Sequence, residues 1–84
     1  MQEQDKKLLE LFGNRLKQLR EQKYKSLNNF AFNYSLVSSA TISRIENANV
    51  DFKFSTLIKI ANALNISASE LLENFNFNYN NFDN

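Results

Sequence analysis

Apolar positions recur every three or four residues along most of this chain, and that spacing predicts helices rather than strands. From about residue 5 to 23 they fall at Leu8/Leu9, Phe12, Leu16 and Leu19. Asp5 is the expected N-cap of this first helix. Gly13 is the only glycine and lies inside it, where it costs roughly 1 kcal/mol relative to Ala. Either a close helix crossing or an unselected glycine accounts for it. A second short helix is capped by Ser26 and turns Leu27, Phe30 and Ala31 inward. Tyr34, Ser35, Leu36 and Val37 form the connector that follows, with Leu36 and Val37 expected to plug the core beneath it.

Ser38 is the predicted N-cap of a third helix that divides sharply into two faces. Ile42 and Ile45 fall on one side; Ser39, Ala40, Ser43 and Arg44 fall on the other. A loop of turn-forming residues covers 47–51. Phe54, Leu57, Ile58, Ala61 and Leu64 then mark a fourth helix, its apolar face widened by Ile60. Ser67 and Glu70 form a predicted capping box that opens a fifth, with Ile66 and Leu71 as its hydrophobic staple. Leu71, Leu72 and Phe75 are its expected buried side. The expectation is an all-α bundle of five short helices in one domain, residues 1–74.

Residues 75–84 break the pattern. Phe75, Phe77 and Tyr79 alternate with Asn, a period of two that fits a strand. A lone strand needs an edge to pair with, most simply a second copy of itself. The other reading is an Asn-rich tail resting loosely on the domain. Exposed aromatics here favour a dimer contact in either case.

Composition narrows the chemistry. At 84 residues the chain makes one small domain with a modest core. Without Cys there is no disulfide framework or thiolate metal site, and without His the usual general base and commonest metal ligand are missing. The nine Asp and Glu are scattered. We therefore expect no catalytic residues, no metal and no cofactor. No apolar run approaches the roughly 18 residues of a membrane span, and the polar start MQEQDKK is not a signal peptide. A cytoplasmic protein is expected.

The net charge of +1 conceals a division. Residues 1–44 hold eight Lys and Arg against four acids, a balance of +4, whereas residues 45–84 hold two against five, a balance of −3. This suggests a basic end and an acidic end, with phosphate contacts mainly from the first half; the other reading is that solvated faces differ in charge by chance. Arg15, Lys17 and Lys25 are expected opposite the apolar stripe of the first helix, on a face that is mainly solvated, with one or two of them touching phosphate. The outer face of the third helix carries small hydroxyls, a methyl and one guanidinium. Such a face makes a poor core but suits the major groove, where each of these groups can meet a base edge. Residues 26–46 thus read as two helices and a turn that present a DNA-reading helix. Asn28 and Asn29, in the first turn of the second helix, either offer amides to a phosphate or are plain surface residues.

In their order and spacing, GNRLKQLREQ, SLNNFA, ATISRIEN and FSTLIKIANALNISASELL resemble the Cro and lambda-repressor-like, or XRE-type, helix-turn-helix proteins. The resemblance runs from about Phe12 to Leu72. It implies a compact five-helix lambda-repressor-like bundle that binds operator DNA as a dimer. By the same resemblance Ser38 caps the recognition helix and Ser39 and Ala40 meet bases first. Arg44 makes a deeper base or phosphate contact, and Thr41 and Ser43 flank it. Asn47 approaches phosphate, while Arg20 and Glu46 form a buried structural ion pair. Three departures stand out. The connector between Ala31 and Ile42 is one residue longer than the usual pattern and lacks its glycine. Ala48 replaces the glycine that ends the recognition helix, a role expected to pass to Asn47 or Asn49. The following loop offers only Lys53 as a basic residue.

The expected function is a homodimeric regulator of double-stranded DNA, a repressor of its own or a neighbouring operon. A restriction–modification controller is a variant of it. The rival reading is a protein-interaction module, such as an antitoxin or a regulator subunit, that works through the aromatic tail or the last helix.

Overall fold

The computed structural model describes residues 2–23 and 36–73. Among them the chain is all-helical, with α1 (Glu3–Lys23), α2 (Ser39–Glu46), α3 (Phe54–Ala63) and α4 (Ala68–Leu71). Four helices, not five, therefore stand in the described structure. The helix expected from Ser26, with Asn28, and the tail at 75–84 lie outside the described residues. The expected third, fourth and fifth helices are α2, α3 and α4.

α1 begins two residues before the expected start. Its first turn holds Glu3 and Asp5, so Asp5 supports the positive end of the helix dipole from within rather than as the N-cap. The buried stripe is Leu9, Phe12, Gly13, Leu16 and Arg20. Of these, Phe12 and Leu16 meet Val37, Ile42, Ile45, Ile60, Ala61, Leu64 and Leu71 in one core. Phe12 also stacks at a tilt on Phe52 of the α2–α3 loop, with ring centroids 4.9 Å apart, a geometry aromatic pairs favour.

Two expected core residues are not core. Leu36 is 84% exposed and Phe54 73%. Of the two expected plugs, Leu36 and Val37, Val37 is the buried one. Phe54 stands at the first residue of α3. Ile60, which the pattern placed at the margin of the apolar face, is fully buried and is the centre of that face.

Both α2 and α3 end in the same way. After α2, Ala48 N donates to Ile45 O at 3.1 Å and Asn49 N to Arg44 O at 2.8 Å; after α3, Asn65 N donates to Asn62 O at 3.0 Å and Ile66 N to Ala61 O at 3.1 Å. This is the Schellman pattern, which needs a left-handed residue between the two donors. Ala48 (φ 58°) and Asn65 (φ 59°) supply it. The left-handed position after α2 thus falls on Ala48 itself, correcting the expectation that Asn47 or Asn49 would take it. Register decides this, because only the residue following the C-cap Asn47 can close both bonds. Lys6 Nζ donates to Ala48 O at 2.7 Å, and Lys23 Nζ donates to Leu64 O, the C-cap of α3. Each lysine thus places its positive charge at the negative end of a helix.

The capping box of α4 is complete. Glu70 N donates to Ser67 Oγ at 3.1 Å, and Ser67 N to Glu70 Oε1 at 3.1 Å. Leu71 lies in the core cluster and the partly buried Ile66 packs against it, as the staple requires.

Candidate nucleic-acid interface

The inner side of α2 is fixed to α1 by three kinds of contact. Ile42 and Ile45 are buried to 0% and 1% exposure. Beside them α1 carries Gly13, where a Cβ would lie 2.6 Å from both Ile45 O and Glu46 O. No side chain fits there, so the glycine serves a close crossing of α1 and α2. Two turns along α1, Arg20 Nε donates to Glu46 Oε2 at 2.6 Å and Arg20 Nη2 to Glu46 Oε1 at 3.0 Å. The two side chains are 7% and 6% exposed.

This two-point geometry is the strong form of an arginine–carboxylate contact. The Glu46 hydrogen bonds raise the Arg20 pKa above its ordinary value, against the opposing effect of burial. The pair orients more than it stabilises, because desolvation offsets most of the attraction. It locks the last turn of α2 at a fixed rotation about its axis.

That rotation leaves the other side open. Ala40, Arg44 and Asn47 are exposed, with Ser39, Thr41 and Ser43 half-buried beside them. Ser39, Ala40, Ser43, Arg44 and Asn47 follow helical spacing and share one face. Ser38 caps the helix with φ −66° and ψ 157°. Its Oγ accepts from Thr41 N at 3.2 Å and donates to Thr41 Oγ1 at 3.0 Å. At the other end Asn47 Nδ2 donates to Ser43 O at 2.9 Å and approaches Ser43 Oγ at 3.4 Å. The amide of Asn47 is therefore turned back along the helix.

The structure gathers Ser38, Ser39, Ala40, Thr41, Ser43, Arg44 and Asn47 on α2 and its caps. Lys53 stands apart. It is exposed and precedes α3 as an N-cap that makes no side-chain capping bond. On α1, Lys17 is exposed and Arg15 half-buried. Sequence reasoning missed Lys6, whose bond to Ala48 O joins residues 42 positions apart. No periodic pattern encodes such a contact.

A short helix pinned by its apolar side and its last turn, with a polar face left open, fits the second helix of a helix-turn-helix domain. The chain belongs to the helix-turn-helix family of the XRE, lambda-repressor-like type, whose model matches residues 16–71, about two thirds of its length. No curated protein matches the chain. The family consists of DNA-binding regulators rather than enzymes. Among the described residues no helix is long and apolar enough to cross a membrane, and no group of three or more acidic side chains could hold a metal ion.

Proposed function

We propose that this chain is a sequence-specific regulator of double-stranded DNA, a cytoplasmic repressor that reads a near-palindromic operator as a homodimer. Each protomer lays α2 in a major groove, with Ser39, Ala40 and Arg44 toward base edges and Thr41 and Ser43 at the flanks. Phosphates position the protein, and base contacts specify the site. The observation that carries this reading is the division of α2. Its inner side is locked to α1 through Gly13 and the Arg20–Glu46 pair, while its outer side holds donors, a methyl and a guanidinium in the open.

Two-fold symmetry places the half-sites about 10 bp, or a multiple, apart. Selection from random duplexes at two salt concentrations tests the proposal. The expected product is an enriched palindrome whose affinity falls as salt rises. Absence of any enriched sequence at low salt, together with a tight protein partner, would replace it with the interaction-module reading.

A further inference from the structure

The bond between Ser38 and Thr41 has a direction. Ser38 Oγ already accepts the Thr41 amide at 3.2 Å, and its single proton goes to Thr41 Oγ1 at 3.0 Å. A hydroxyl carries one proton and accepts through its lone pairs. Thr41 therefore receives a proton from Ser38 and keeps its own O–H to give away. Ser43 is biased in the same sense, more weakly, by the Asn47 amide 3.4 Å from its oxygen. Thr41 is half-buried at the edge of the open face of α2, so its O–H is available to a neighbour outside the protein.

We propose that Ser38 is a positioning residue that sets the Thr41 hydroxyl as a hydrogen-bond donor toward DNA. This inference rests on the reading of α2 as a DNA-reading helix. Thr41 then seeks an acceptor: a phosphate oxygen, or guanine N7 or O6, adenine N7 or thymine O4 in the major groove. With one of its two lone pairs already taken by Ser38, it is a poorer match for the amino groups of adenine and cytosine, which are donors themselves. The cap residue thereby selects the chemistry of a contact it does not make.

A carboxylate provides the contrasting case. Asp caps a helix about as well as Ser, but an ionised carboxylate has no proton to donate. With Ser38→Asp the carboxylate takes both the Thr41 amide and its O–H, and the lone pairs of Thr41 turn outward.

The test is a double-mutant cycle on the full chain, using the duplex enriched by selection. Wild type, Ser38→Asp, Thr41→Val and the double variant are compared by Kd. The added negative charge weakens both Asp-bearing proteins alike and cancels in the cycle. Thr41→Val, which keeps the shape of the side chain, should weaken binding about 2- to 10-fold in the wild-type background, the effect of one hydrogen bond. In the S38D background the same change should cost less than about 2-fold.

Repeating the selection with Thr41→Val identifies the acceptor. Relaxed preference at one base pair places it on a base, and equal weakening of all sequences places it on a phosphate. An equal loss in both backgrounds overturns the proposal. If the wild-type chain selects no duplex at all, the DNA reading beneath it fails first. Circular dichroism spectra and melting temperatures of the four proteins show whether any has lost its fold. If the S38D variant is misfolded, the S38N variant, whose amide oxygen also caps, takes its place in the cycle.

Discussion

Replacing Gly13 with Ala tests how tightly α2 is held. Ala is the better helix former by about 1 kcal/mol, so at an ordinary helix position the change would stabilise the protein. Here the new Cβ would meet Ile45 O and Glu46 O at 2.6 Å and Glu46 C at 3.0 Å. Ordinary contact begins near 3.4 Å, so the last turn of α2 must retreat by about 0.8 Å. It is poorly placed to do so. Ile45 O accepts the bond from Ala48 that closes the turn, and Glu46 is bound through both oxygens to Arg20. Overpacking costs about 1–3 kcal/mol, and loosening the buried ion pair adds part of the roughly 3–5 kcal/mol that its loss entails.

After the helical gain is subtracted, the expected net loss is about 2–4 kcal/mol. A domain of this size holds only about 5–15 kcal/mol in all. The melting temperature should therefore fall by about 10–25 °C. Urea titration followed by far-ultraviolet circular dichroism measures the loss, with Asn14→Ala, an exposed neighbour on the same helix, as the control. The control should stay within about 0.5 kcal/mol of wild type. A Gly13→Ala protein as stable as that control would refute the close crossing.

Other substitutions probe the neighbouring features. Arg20→Ala should cost about 3–5 kcal/mol in urea titration because it strands the Glu46 carboxylate, and replacing both residues by apolar ones should recover much of that loss. The Arg20 pKa is raised on folding, so its share of stability is complete below the ordinary arginine value and is lost only above it. From the arginine side, the penalty of Arg20→Ala should thus hold constant from about pH 6 to 9. Asn65→Ala, at an exposed left-handed position, should cost about 1 kcal/mol, whereas Asn65→Gly should match or exceed wild type in thermal melts. Arg44→Ala should lose about 1–3 kcal/mol at a single base pair of the selected site; equal weakening of all sequences would reassign Arg44 to a phosphate. Deleting residues 76–84 should halve the solution mass measured by light scattering, and an unchanged dimer mass would reject a dimer contact through the tail.

Much of this was legible because it is periodic or local. The split of α2 into Ile42 and Ile45 against Ser39, Ala40, Ser43 and Arg44 follows from 3.6 residues per turn. The Ser38 cap and the Ser67–Glu70 box are encoded within four residues of sequence. What escaped depends on where an element ends or what lies across from it. Phe54 matches the apolar stripe of α3 yet is exposed at its first residue, because periodicity gives direction around a helix and not position along it. Gly13 had two readings until the Ile45 and Glu46 carbonyls were found against it. At the end of α2 the sequence favours Asn47 or Asn49 over Ala48, because Asn has the greater intrinsic liking for the left-handed region. The backbone register of the Schellman turn overrode that liking.

The lysines that reach across the fold bear on how the domain would hold DNA. Of the eight basic residues in the first half of the chain, Lys6 and Lys23 are bonded to backbone carbonyls and Arg20 to Glu46. Lys7 stands 3.9 Å from Glu3. These four cations are each engaged within the domain to some degree, so one protomer on a duplex would displace only a few counterions. On the reading proposed above, grip comes from joining two weak half-site contacts, the second made at the high local concentration created by the first. Such a protein leaves non-operator DNA easily, and its occupancy of an operator follows the abundance of its own dimers.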